Sequence, residues 1–193
     1  VHRKLRQKSI SLKLGSQLIK LEKNGSKAVA TLKNQEKIEA DMIIMSAGVI
    51  PDTKIAKDAG LGMNPRQAII TDAYMKTSDP DIYAVGDAVQ VTDFISRSKV
   101  VVPLAGPANK QGRIAADNIF GKKSQYKGTQ GTSILKVFDL TVASTGNNTK
   151  NLEKTNCAFE YSYTHSASHA SYYPGAENMA IKLIFASDTG KIL

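Results

Sequence analysis

The stretch that most constrains this chain is Thr77-Ser78-Asp79-Pro80-Asp81-Ile82-Tyr83-Ala84-Val85-Gly86-Asp87. It opens with turn residues and a proline, continues as the apolar run Ile82 to Val85, and stops at Gly86-Asp87. A short apolar run bounded by turn signals predicts a buried strand of a parallel sheet. Ligands of open α/β sheets bind beyond the carboxyl ends of such strands. Gly86 removes the side chain where a ligand would approach the backbone closely. Asp87 then presents a carboxylate, acceptor-only when ionised, which suits the hydroxyls of a sugar or polyol.

The pattern T-S-x-P-x-I-Y-A-V-G-D resembles the second flavin-binding signature of the pyridine nucleotide-disulfide oxidoreductases. The resemblance implies that Asp87 hydrogen-bonds the ribitol of FAD. It also implies a fold: α/β, comprising the end of an NAD(P)-binding and of an FAD-binding Rossmann-like domain. An α+β interface (dimerisation) domain, cut short, follows. The expected divisions are 1–49 for the NAD(P)H-binding part, 50–121 for the closing half of the FAD-binding domain, and 122–193 for the interface domain.

Composition narrows the partners. At 193 residues and 41% hydrophobic content the chain can bury a core as one large or two small domains. No run of about eighteen apolar residues predicts a membrane helix. The basic start Val1-His2-Arg3-Lys4-Leu5-Arg6 is followed by no apolar signal core. The single cysteine, Cys157, excludes an internal disulfide and fits a reducing, cytoplasmic compartment. The net charge is +9, but the lysines are scattered with little aromatic surface among them. That favours a small phosphate-bearing ligand over nucleic acid.

Residues 1–9 read as the end of an amphipathic helix, and Ile10–Leu14 alternates as a half-buried strand. Gln17–Lys23, Lys27–Lys33 and Lys37–Glu39 read as three short strands, with Asn24-Gly25 as a hairpin signal. Ala40–Ser46 reads as a second buried strand, ending in Ala47-Gly48-Val49-Ile50-Pro51. This order resembles the tail of the family's NAD(P)H domain. A helix is predicted over Thr53–Ala59 and stopped by Gly60. Gln67–Thr71 and Tyr74–Thr77 read as strands, and Ala88–Lys99 as a loop. A longer helix is predicted from about Ala108 to Phe120, with Pro107 in its first turn and Ile114, Ala115 and Ile119 on one apolar face. Gly121–Gly131 reads as a polar linker. Beyond it, Ile134–Ala143, Ala158–Thr164 and Asn178–Ala186 read as strands and Lys150–Lys154 as a helical turn. That order suits an antiparallel sheet with helices on one face.

The longer helix matters chemically, because its first turn leaves unpaired N–H groups and a partial positive charge. The resemblance implies that this end faces the N1–C2=O edge of the flavin, with Leu104, Ala105 and Gly106 at the matching positions. The polar segment His165–Ala176 carries Tyr172-Tyr173 before Pro174-Gly175. It resembles the corresponding loop of the coenzyme A-disulfide reductases and NADH oxidases. The resemblance implies that one of the two tyrosines reaches across a homodimer toward the partner's redox cysteine and coenzyme A. Packing of a dimer interface is the plainer role for them.

His2, His165 and His169 have no ligand-spaced Cys or carboxylate, so no metal site is expected. Cys157 lacks a CxxC or a glycine-rich helix start and reads as a small core residue. No G-x-G-x-x-G is present, so both nucleotide fingerprints and the redox cysteine are expected outside this stretch, which alone is expected to be inactive. The resemblance implies that the parent is an FAD-dependent NAD(P)H:disulfide oxidoreductase, foremost a coenzyme A-disulfide reductase, with NAD(P)H as co-substrate and coenzyme A disulfide or oxygen as acceptor. The alternatives are an NADH oxidase or peroxidase, and a flavoprotein acting in electron transfer or binding without disulfide chemistry.

Overall fold

The computed structural model describes residues 1–193. The chain forms two compact units: Val1–Ile50 with Leu135–Val142, and Pro51–Ile134 with Ala143–Leu193.

In the first unit, α1 (His2–Gln7) carries Lys4 and Arg6 in its last turn, where cations complement the helix dipole. Lys4 Nζ pairs with Asp139 at 2.7 Å. The expected strand Ile10–Leu14 is absent. The chain there is irregular between left-handed turns at Ser9 and Gly15, and no strand pairs with it. The meander is present as β1 (Leu18–Asn24), β2 (Lys27–Leu32) and β3 (Lys37–Ala40), all antiparallel in the order β1-β2-β3. Its first turn is Gly25-Ser26 rather than Asn24-Gly25, since Asn24 pairs with Lys27. Only Gly25 is at positive φ, the arrangement of a type II′ turn. The expected buried strand Ala40–Ser46 is also absent. β3 ends at Ala40, and Met42, Ile44 and Met45 are exposed. A parallel strand needs neighbours on its edges and helices on its faces, and no strand of this chain pairs with the run.

The second unit opens with α2 (Lys54–Asp58), which Gly60 terminates at φ +74°. Thr53, just before it, donates its hydroxyl to Gln67 O at 2.7 Å. β4 (Ile69–Ile70) pairs parallel with β5 (Val89–Thr92), and β5 pairs antiparallel with β6 (Lys99–Val100). The expected loop Ala88–Lys99 therefore contains the central strand of a small sheet. Tyr74–Thr77 is a turn, not a strand. Asp72 Oδ1 accepts from Tyr74 N and Lys76 N at 2.8 and 2.9 Å and holds buried Met75 at φ +67°. A carboxylate that captures nearby backbone donors competes directly with strand pairing.

Ile82–Val85 is the second correction to a buried-strand reading. The run makes one antiparallel bridge, Tyr83 to Lys76, and Ile82 and Val85 are exposed. It has a neighbour on one edge only, and α3 (Ala105–Ile119) packs on the turn that follows it. The core gathers Met75, Val89, Val91, Ile114, Ala115 and Tyr126. Tyr126 comes from the expected linker, which is tied down by Tyr126 N donating to Ala73 O at 2.7 Å. Ile119, expected on the apolar face, points to solvent, and Gln111 is the third buried residue of the helix.

The expected single strand Ile134–Ala143 is a hairpin, β7 (Ser133–Val137) and β8 (Leu140–Ser144), because Phe138 turns the chain at φ +57°. α4 (Thr149–Leu152) is capped by Asn148, whose Oδ1 accepts from Asn151 N at 3.0 Å. β9 (Phe159–Ala167) and β10 (Asn178–Ala186) form a long antiparallel pair. After the Ser187–Gly190 turn, Ile192 bridges back to Phe185. The loop after β5 is organised by buried Asp93. Its Oδ1 accepts from Ile95 N (3.1 Å), Ser96 N (2.6 Å), Ser96 Oγ (2.8 Å) and Asn147 Nδ2 (3.0 Å). Burial alone would raise this carboxyl. The bonds from Ser96, Asn147 and Ile95 outweigh it and hold Asp93 below the ordinary aspartate range.

Candidate functional site

The site is built where the opening motif meets α3. The run Ile82–Val85 enters a single 3₁₀ turn, Gly86–Ala88, before β5 begins. Gly86 adopts φ +88°, a conformation that disfavours any residue with a Cβ. A Cβ built there would meet nothing within 4 Å, so the backbone faces open space. Asp87 follows, exposed and outside every ion pair of the chain. Gly86 N donates to Gln111 Oε1 at 2.7 Å, which fastens the turn to the helix.

The helix starts earlier than the expected Ala108. Leu104 is the N-cap, and Ala105, Gly106 and Pro107 form the first turn. Leucine has no side-chain acceptor, and no side-chain bond caps this end. The first intrahelical bond runs from Ala108 N to Leu104 O at 3.1 Å. Pro107 has no N–H, so the orphan donors are those of Ala105 and Gly106. They come with the positive end of a 15-residue helix. An open cavity of about 530 Å³ lies beside this turn, lined by Gly106, Pro107, Lys110, Tyr126 and Gly128 among others.

This donor set fits a flavin. A free carboxylate suits the ribitol hydroxyls, and uncapped N–H groups at a helix start suit an edge that gains negative charge on reduction. Residues 86–87 and 104–106 are thus brought to elements in direct contact through Gln111. Sequence reasoning missed Gln111. The available signal was its place three and four residues before Ile114 and Ala115, on the buried face of the same helix.

Tyr172 and Tyr173 stand elsewhere, at the tip of the β9–β10 hairpin. Both are exposed, and their rings pack on each other at 4.8 Å with a 39° tilt. No hydrogen bond joins them to Gly86–Asp87 or to α3. His169, nearby, contacts Ser168 Oγ through Nδ1 at 3.2 Å. Cys157 is only half-buried, between α4 and β9, rather than a core residue. Gly48 makes a left-handed turn at φ +103° with open space where a Cβ would be.

The sequence model of the family described as "Pyridine nucleotide-disulphide oxidoreductase" matches residues 1–112. An "NADH oxidase" of Methanocaldococcus jannaschii is 34% identical over 90% of this chain and 42% of its own length. A "Coenzyme A disulfide reductase" of Staphylococcus haemolyticus is 30% identical over 86% of this chain and 37% of its own. Among solved structures, reduced CoADR-RHD of Bacillus anthracis superposes with a TM-score of 0.94 and 46% identity. That match covers 99% of this chain and 34% of the other. The chain therefore spans less than half the length of these relatives. FAD and NAD(P)H are the cofactor and co-substrate of the family. No helix is long and apolar enough to cross a membrane. By the extent of the match and the fold that carries it, the chain belongs to the pyridine nucleotide-disulfide oxidoreductase family.

Proposed function

We propose that this chain is the flavin-closing and interface portion of an FAD-dependent NAD(P)H:disulfide oxidoreductase whose acceptor is coenzyme A disulfide. The carrying observation is the open Gly86–Asp87 turn, held against a helix whose first N–H groups are uncapped. Bound FAD would supply the two-electron path between NAD(P)H and the acceptor disulfide. Asp87 would hold the ribitol of FAD by accepting hydrogen bonds from its hydroxyls. The Ala105 and Gly106 N–H groups, with Leu104 as N-cap, would stabilise the negative charge that a flavin gains on reduction. One of the hydroxyls of Tyr172 and Tyr173 serves the neighbouring subunit of a homodimer. It donates a proton, or a hydrogen bond, to the thiolate that leaves when the disulfide S–S bond breaks. The enzyme works in the cytoplasm, where its one cysteine in this stretch stays reduced.

In the full-length protein, Asp87→Ala removes a charge-assisted bond contributing about 1.5–3 kcal/mol. Flavin content after dilution and gel filtration should fall clearly, and full occupancy would refute the ribitol role. Tyr172→Phe with Tyr173→Phe keeps the rings and removes the hydroxyls. It should lower kcat/KM for coenzyme A disulfide by up to roughly 10²–10⁴-fold. The rate of flavin reduction by NAD(P)H should not change. Unchanged disulfide turnover would leave the tyrosines as interface packing and favour the oxygen-reducing alternative.

A further inference from the structure

We infer that Gln111 is a positioning residue for the flavin site: its buried amide sets where Asp87 stands relative to the start of α3. Gln111 is 2% exposed, one of the least accessible polar side chains in the protein. Its two buried helix neighbours, Ile114 and Ala115, are apolar and pack in the core. A packing role alone is filled by an apolar residue at such a position, without the desolvation of an amide. What the amide adds is one acceptor, Oε1, which takes the Gly86 N–H at 2.7 Å.

That N–H belongs to the residue just before Asp87, in a backbone at φ +88° that no side chain of its own holds in place. Gln111 stands six residues into a helix whose first residue is Ala105, a rise of about 9 Å. One rigid element therefore carries both the orphan donors and the clamp on the carboxylate turn. The hydrogen bond fixes the spacing between the two groups that would meet a flavin, and so preorganises the site. This rests on the flavin reading given above.

The test is a double-mutant cycle in the full-length protein, with FAD titrated into apoprotein and followed by flavin fluorescence. Gln111→Met keeps length and volume but has no oxygen acceptor. Gln111→Glu keeps an acceptor oxygen at the same reach. The Met variant should bind FAD about tenfold more weakly than wild type, from one unmade hydrogen bond. In an Asp87→Ala background the same change should have an effect below about twofold, because nothing remains to be positioned. The Glu variant should stay within about threefold of wild type, since its acceptor persists.

Equal losses in both backgrounds would make Gln111 a general structural residue and overturn the inference, as would wild-type affinity in the Met variant. If the Met variant fails to fold, the Glu variant decides, and a tenfold loss there overturns it. If Asp87→Ala alone binds FAD like wild type, the flavin reading itself fails and takes this inference with it. That result is distinct from a failure confined to Gln111.

Discussion

Two stretches of this chain, Met42–Met45 in the first unit and Val89–Thr92 in the second, end opposite to their reading as sequence. The first lies in a run expected as a buried strand, and the second lies in a stretch expected as a loop. Ile44 is 80% exposed, whereas Val89 is 1% exposed. The difference lies in what stands beside them. Val89 and Val91 belong to β5, with β4 on one edge, β6 on the other, and α3 contributing to the same core. No strand of this chain pairs with the run after β3. Hydropathy states how much a segment gains by burial. Only partners supply the pairing that makes it a strand.

The largest test of this contrast is in the two isoleucines. In this 193-residue chain, Ile114→Ala should cost about 2–5 kcal/mol, a buried side chain lost from a packed core. Ile44→Ala should stay within about 0.5 kcal/mol, as an exposed substitution. Urea denaturation followed by circular dichroism measures both. Repeating the pair in the full-length protein sharpens the comparison: if added strands pair with residues 42–46, the Ile44 cost should rise toward that of Ile114. A large Ile44 effect in the short chain would mean that the run is already packed.

The same distinction separates what was legible in the sequence from what was not. Elements whose stabilising contacts are local were legible. The β1–β3 meander follows from alternation and a Gly25 turn, α2 from its stop at Gly60, and the β9–β10 pair from two long alternating runs. The Gly86-Asp87 turn was legible because the pattern from Thr77 to Asp87 resembles a flavin-binding signature, and glycine there accepts the positive φ it adopts. Elements decided by distant partners were not. Tyr126 sits in a stretch rich in Lys, Gly, Ser and Thr, and nothing local says that its ring reaches the core beside Ile114. Asp72 turns Tyr74–Thr77 through its side chain, against strand-like residues. Gln111 was missed because a polar residue near an apolar stripe reads as its edge, and only the Gly86 N–H makes it central.

A second, smaller contrast sets two carboxylates side by side. Burial would raise Asp93, but hydrogen bonds from Ser96, Asn147 and Ile95 lower it. Asp139, on the exposed surface of the first unit, is lowered mainly by a hydrogen bond from Lys4. A folded value below the unfolded one, about 3.9, adds stability that is full above that value. The contribution is lost as pH falls through the folded value. At neutral pH, Asp93→Asn should cost about 1.5 kcal/mol, since the amide keeps an acceptor but not the charge. The gap from wild type should close below about pH 4. Asp139→Asn should show no resolvable change, because exposed ion pairs contribute little. Denaturation midpoints from pH 3 to 7 give both curves, and a pH-independent Asp93→Asn difference would contradict the assignment.

A glycine pair with a modest effect on stability best separates backbone need from function. Gly25 and Gly86 sit at φ +61° and +88°, and a Cβ at either would meet nothing within 4 Å. Neither site is short of room, so alanine at each meets only the left-handed backbone penalty, about 1 kcal/mol. The two substitutions should therefore lower stability alike in this chain. They should part company in the full-length protein once FAD is added. Gly25 lies in a meander turn remote in sequence from any proposed ligand contact. Gly86 precedes Asp87 and gives its N–H to Gln111, so, on the flavin reading proposed above, a methyl there would intrude on the bound cofactor. Gly86→Ala should weaken FAD binding, and Gly25→Ala should leave it at the wild-type value. Titration of both apoproteins with FAD, beside their denaturation curves, reads the two quantities separately. Equal FAD affinity in the two variants would mean that the open space at Gly86 serves the turn alone.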